Sequence, residues 1–335
     1  MLSKITVSPA PHISEKLSTR RVMLDVIIGL VPALIAALIF FRFRAALIIG
    51  VCAAACVLSE WLCNLIRRKP NSLSDLSAIV TGLILAFSLP PAVPVSVAII
   101  GCVFAIVITK MLFGGLGSNV FNPAMAARAF LAVCFGAAMT TWTVPATINP
   151  QMPKMTAENT QAITQATPLA WSKMALKGQV KASEIEGQAR NAFWGNVGGC
   201  LGETSSLALI LGGIYLLIRR IITFHIPLAV LLAAFVFAGI AWLVKPAAYV
   251  APDFQLFGGG MLLCAFFIAT DPVTAPLSVR GMWIFGAGVG LLIMLIRDVG
   301  EYPEGVMYAI LIMNALTPLI DRLCQRVPVG GKPHV

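Results

Sequence analysis

The sequence has 335 residues, of which 59% are hydrophobic and 11% charged, whereas soluble domains carry about 25% charge. With a mean hydropathy of +0.90, that composition excludes a soluble globular domain and makes the bilayer the expected solvent. The net charge of +10 does not point to nucleic acid, because Lys and Arg are spread through short loops and are not gathered on one face or motif.

A hydrocarbon core of roughly 30 Å needs about 20 apolar residues per spanning helix, and ten such runs follow in chain order. The chain opens with a polar segment, 1–21, that is too long for the brief basic start of a signal peptide. Runs near 22–41, 45–66, 74–90, 95–113 and 124–142 come next. A long polar connection, 143–204, separates them from runs near 205–218, 226–244, 256–270, 281–297 and 305–322, and a tail covers 323–335. The expected fold class is an all-α polytopic membrane protein of about ten transmembrane helices. The third, sixth and eighth runs are short, which suits the inside of the bundle, since broken backbone is tolerated in a membrane only where protein or a cavity covers it. Five runs on each side of one connection (22–142 and 205–322) predict halves of opposite orientation, an inverted repeat.

Loop charge orients the bundle. On the side of the N-terminus the loops hold fourteen Lys and Arg, and the short loops of the other side hold four (Arg42, Arg44, Lys245, Arg297). The positive-inside rule therefore puts both termini in the cytoplasm and the connection 143–204 outside; its five basic residues do not count, because long loops escape the rule. From 143 to 190 the connection is rich in Thr, Gln, Ala, Lys and Pro. It exceeds the roughly 12–15 residues beyond which a structureless loop is usually functional or disordered.

Ionisable groups inside membrane helices count as functional hypotheses, which singles out Asp25, Glu60, Lys110, Arg128, Asp271 and Asp298. The plainer reading is that Lys110 and Arg128 reach to an interface while Asp25 and Glu60 sit at headgroup depth. Arg128, nine residues beyond Asn119, fits that reading least well. The eight cysteines are scattered singly with no C-x-x-C, which argues against a zinc site, an iron–sulfur motif or a disulfide framework. Cys52 and Cys56 share a helix face and suit a helix contact or a shared site.

Two polar clusters flank apolar runs and fall on the cytoplasmic side of this topology: Gly114–Pro123, containing Asn119 and Asn122, and Thr270–Asp271–Pro272. Glycine lets backbone approach a ligand closely, and Asn offers donors and acceptors to a planar heteroaromatic edge. Pattern alone also allows a turn with Pro at a helix start. The third cluster, Thr164–Leu169 in the outer connection, is by itself a Thr-rich turn. No nucleophilic triad is arguable, because His12, His225 and His334 lie in a terminal segment, at a helix start and in the tail.

These clusters occur together with Ser8–Pro9, Pro11–His12, Ser18–Met23, Gly114–Phe130, Gln165–Leu169, Phe266–Pro276 and Gly300–Gly305. In that order and over nearly the whole chain, the sequence resembles the D-subunit family of the Rnf ion-translocating electron-transport complex, related to the B subunit of the sodium-pumping NADH:quinone reductase. The resemblance implies a flavin-carrying subunit, not catalytic alone, of an ion-translocating oxidoreductase that couples electron transfer between ferredoxin and NAD to ion movement across a bacterial inner membrane. Its implied partners are the other Rnf subunits (A, B, C, E and G), a flavin transferase and the lipid bilayer. The implied cofactors are FMN, joined through a phosphoester to Thr167, and riboflavin, bound noncovalently by Asn119, Asn122 and Asp271. The family's attachment motif reads roughly Asp-Gly-x-Ser-Gly-Ala-Thr; Thr164 corresponds to its Ser and Ala166 to its Ala, while Gln161, Ala162 and Gln165 depart from it here. Thr204, in Gly202–Ala208, is the fallback acceptor, although its place before the sixth run reads as a capping position. The rival reading is a secondary transporter or channel-like protein with inverted repeats and no redox role.

Overall fold

The computed structural model describes residues 18–68, 72–142, 167–178, 193–195, 198–300, 302 and 304–325, and every regular element among them is helical. The chain is an all-α polytopic membrane protein. Helix α1 (Thr19–Ile66) is 48 residues long, about 72 Å at 1.5 Å per residue and so more than two bilayer cores. It holds the first two runs. The expected loop between them is absent: the helix breaks at a single residue, Arg42, with φ 50 and ψ −128. A β-carbon at that φ is strained, at a cost of order 1–3 kcal/mol.

The two parts of α1 pack differently. The first part meets α7 (Ser206–Ile218), where Gly29 lies against the Gly212 carbonyl and Leu216. The second part receives α2 (Ser77–Phe87) so closely that a Cβ on Gly82 would lie 2.8 Å from the Cys52 carbonyl oxygen. Small residues at such crossings let membrane helices approach without a hydrophobic driving force between them. Helix α3 (Val95–Val103) runs into a π-helical segment, Phe104–Met111, and covers the same face of α1: the Cys102 thiol lies 3.6 Å from the Cys52 carbonyl. Cys52, Cys56 and Cys102 are fully buried there.

The fifth run is shorter than its apolar stretch. Helix α4 (Pro123–Cys134) stops at Phe135, which leaves the helical region, and resumes briefly as α5 (Gly136–Met139). In the connection, α6 (Pro168–Leu176) docks on the bundle, its Lys173 ammonium donating to the Gly300 and Tyr302 carbonyls. Helix α8 (His225–Val244) crosses as expected. The eighth run is three pieces, where one helix was expected: α9 (Pro252–Phe257), α10 (Met261–Leu263) and a π segment, Cys264–Ile268. Three consecutive glycines cause the break, and Gly259 takes φ +67. Helices α11 (Val279–Val299) and α12 (Val306–Leu323) complete the bundle.

By length and composition α1, α8, α11 and α12 can each cross a membrane. Helix α2, at 11 residues, spans only about 16 Å, and its ends need partners because lipid offers none. The long connection supplies them: the Gly202 and Leu201 amides donate to the Phe87 and Leu89 carbonyls at 2.8 and 3.0 Å. In the second half the Arg297 guanidinium does the same for α9, donating to the Gln255 and Gly258 carbonyls at 2.7 and 2.9 Å. Lys110 closes the fourth run onto the start of the third by donating to the Ser77 hydroxyl, and Arg297 closes the ninth onto the start of the eighth. Both cations are buried, Lys110 against a side-chain hydroxyl and Arg297 against backbone carbonyls.

Candidate functional site

The fold brings the two polar clusters of the sequence to one cavity of about 240 Å³, just under the roughly 300–1,000 Å³ of small-molecule sites. Asn119, Asn122, Pro123, Thr270 and Asp271 line it, with Val22 and Met23 of α1, Ser77 and Ile84 of α2, Lys110, and Phe266 and Phe267 of the π segment. Asn122 is the N-cap of α4, its Oδ1 accepting from the Ala124 and Met125 amides at 3.1 and 3.2 Å with Pro123 at the first helical position. That leaves its Nδ2 free to donate to Asp271 Oδ2 at 3.4 Å, across 149 residues of sequence. Asp271 caps its own turn, accepting from the Val273 amide and the Thr274 hydroxyl. Desolvation pushes its carboxyl above the usual range, against the pull of those donors and of Asn122. Asn119 donates to the Phe121 carbonyl at 3.1 Å, and its Oδ1 is buried with no partner among the described residues. An orphaned acceptor beside a cavity is costly unless a ligand or water serves it. Flat apolar rings, an unsatisfied amide oxygen and an Asn–Asp pair fit a planar heteroaromatic ligand.

The charges placed at interfaces by the plainer sequence reading are instead buried and paired. Lys110 is 2% exposed and Glu60 1%; their Nζ and Oε2 lie 2.6 Å apart. Glu60 also accepts from the Ser72 hydroxyl at 2.5 Å, and Asn64 donates to the Ser72 oxygen at 2.9 Å. Asp25 accepts from the Tyr215 hydroxyl at 2.8 Å and from the Arg219 guanidinium at 3.2 Å. Arg128 is buried among sulfur acceptors, donating to Met139 Sδ at 3.8 Å and Cys200 Sγ at 3.5 Å. Reaching to water does not describe Lys110 or Arg128, because each is buried against a partner from a distant segment that sequence does not show, whereas Asp25 meets the exposed Arg219. Sequence reasoning also misses Ser77, Phe266 and Phe267 as cavity walls; only the polar-to-apolar transition at Phe266–Thr270 hints at the last two.

Thr167 lies at the other end of the bundle. Leu169, two residues on, packs on Gly258 and Gly259 beside the Arg297 side chain at the end of α11, whereas α11 begins at Ser278, just beyond Asp271. Its 21 residues make the separation about 31 Å. Thr167 caps α6, its hydroxyl oxygen accepting from the Ala170 amide at 3.1 Å with Pro168 following, and it is 6% exposed. The departures at Gln161, Ala162 and Gln165, and Thr164, lie outside the described residues. Thr204 is not the cap of α7: that is Ser205, which accepts from the Ala208 amide at 3.3 Å, while the Thr204 hydroxyl donates to the Leu201 carbonyl. Nearby, Cys200 Sγ and carboxylate oxygens of Glu203 and Glu304 lie within 4.8 Å of one another. The Arg128 guanidinium on that sulfur opposes a second cation there.

Comparison with known proteins settles the family. Residues 6–330 match the model of the NQR2, RnfD, RnfE family. The chain belongs to that family. It is 38% identical over 335 residues (98% of this chain, 96% of the relative) to the D subunit of the proton-translocating ferredoxin:NAD(+) oxidoreductase complex of Clostridium ljungdahlii. To the D subunit of the Na(+)-translocating ferredoxin:NAD(+) oxidoreductase complex of Acetobacterium woodii it is 40% identical over 321 residues, 96% and 94% of the two chains. The D subunit of the ion-translocating oxidoreductase complex of Stutzerimonas stutzeri is 40% identical over 336 residues, 95% of each.

Proposed function

We propose that this chain is the flavin-carrying D subunit of an Rnf-type complex, which couples electron transfer between ferredoxin and NAD to ion translocation across a bacterial cytoplasmic membrane. Both termini are cytoplasmic in this reading, the connection 143–204 is external, and the A, B, C, E and G subunits and a flavin transferase are the partners. The observation that carries the redox part is the convergence of Asn119, Asn122 and Asp271 on one cavity, with an Asn119 oxygen that has no partner among the described residues. Riboflavin is the ligand assigned to it.

The flavins, when bound, supply reversible electron storage; the chain's residues position and tune them. Asn119, Asn122 and Asp271 would hold the polar edge of the ring, and Phe266, Phe267 and Ile84 would keep bulk water off it. At the other end Thr167 Oγ is the attachment oxygen for FMN. A phosphoester there sits at the N-terminus of α6, where free first-turn amides and the helix dipole favour an anion by roughly 0.3–1 kcal/mol. Electrons would pass between this chain's two ends and centres on partner subunits.

The test is in-gel flavin fluorescence of the denatured chain from cells containing the flavin transferase. A bright band that goes dark in Thr167→Ala and stays bright in Thr204→Ala is expected. A dark wild-type band contradicts covalent attachment, and a transporter without redox role predicts that result.

A further inference from the structure

Lys110 stands in the cavity wall with one unused proton. An ammonium group has three donors; Glu60 Oε2 takes one and Ser77 Oγ another, both at 2.6 Å. Among the described residues no acceptor takes the third. Lys110 lies in the π-helical segment Phe104–Met111, a local rewinding frequent at functional sites. Lys110 and the unpartnered Asn119 Oδ1 both line the same cavity. The cavity wall therefore holds a charged donor with one proton to spare and, beside it, a neutral acceptor with no partner among the described residues.

Glu60 decides how strong that charge is. With the carboxylate in contact, the pair is close to neutral, and Ser72 holds Glu60 in place from its far side. The ammonium keeps its full capacity to form a charge-assisted hydrogen bond, which is roughly twice as strong as a neutral one. Such a bond strengthens as negative charge accumulates on the acceptor, and low surrounding polarity magnifies the difference.

We infer that Lys110 is a positioning and tuning residue for the cavity ligand: its third proton bonds an electronegative edge atom of the flavin ring and favours the electron-rich state of that ring. This rests on the assignment of riboflavin to the cavity. Glu60 acts through Lys110 and opposes it, so removing each should move the flavin's midpoint potential in opposite directions.

The experiment is a spectroscopic redox titration of the noncovalent flavin in the purified complex, with riboflavin content measured after acid extraction. Glu60→Gln alone frees the Lys110 charge and should shift the midpoint to more positive values. Glu60→Gln/Lys110→Met removes both charges, avoids an unpaired buried ion, and should weaken preference for the reduced flavin about tenfold, a negative shift of about 59 mV for a one-electron couple or about 30 mV for the two-electron couple, with less riboflavin retained. The conservative change Lys110→Arg should keep the midpoint near the wild-type value. If riboflavin is present and neither Glu60→Gln nor the double variant moves the midpoint, the role of Lys110 is overturned while the cavity assignment stands. If the wild-type complex holds no riboflavin, both fall. Where the double variant does not assemble, the Glu60→Gln shift alone decides: a positive shift supports the inference and an unchanged midpoint overturns it.

Discussion

Lys110→Met should destabilise the bundle far more than its single charge suggests. The substitution leaves the Glu60 carboxylate, 1% exposed, with the Ser72 hydroxyl as its remaining donor. Breaking a buried pair from one side costs about 3–5 kcal/mol. By the roughly 2 °C per kcal/mol of larger domains, that is a midpoint drop of about 6–10 °C. Glu60→Gln should cost less, because Lys110 keeps the Ser77 hydroxyl and gains the amide carbonyl as acceptors. The double variant Glu60→Gln/Lys110→Met removes both desolvated charges and should recover most of the loss, since replacing a whole buried pair is often neutral. A thiol-reactive dye is a suitable probe once Cys63, Cys134 and Cys324 are blocked, because Cys52, Cys56 and Cys102 are inaccessible until α1 and α3 separate. Single and double variants melting within about a degree of each other, or losses that simply add, would overturn this expectation.

Other perturbations read other parts of the structure. Gly82→Val should abolish accumulation of folded chain, because its first side-chain carbon would already lie 2.8 Å from the Cys52 carbonyl oxygen; yield in detergent measures it, and normal yield counts against the packing described. Asp271→Ala and Asn119→Ala should each lose most acid-extractable riboflavin while leaving covalent fluorescence intact. Asp25→Asn should cost little stability, because solvent screens an exposed ion-pair partner: Arg219 is 40% exposed and Tyr215 can still donate. Thermal melting at low and high salt checks it. Thr167→Ser should keep both the α6 cap and covalent flavin, separating loss of the hydroxyl from loss of the methyl group.

Much of the helix inventory was legible because apolar run length is a direct consequence of bilayer thickness. The boundaries that failed did so locally. Nothing in Phe41–Arg44 announces that the reversal takes one residue, because the compensating contacts come from α7, α2 and α3. The eighth run looks continuous since Gly258–Gly260 is apolar enough to pass as span, yet glycine at φ +67 ends the helix there. Asn119, Asn122 and Asp271 were legible as clusters, and their meeting was not: it depends on a contact between segments 149 residues apart. The Lys110–Glu60 pair and the Arg128–Cys200 contact were beyond sequence reasoning for the same reason. Thr204 reads as a cap in sequence because Ser205, one residue on, is chemically equivalent.

If one flavin sits near each end of the bundle, held in different ways, acid precipitation of the purified complex followed by flavin analysis separates the two. One equivalent of riboflavin in the supernatant and one FMN on the peptide bearing Thr167 in the pellet, with the mass of FMN less one water, is the predicted result. All flavin soluble, or none in either fraction, would contradict it.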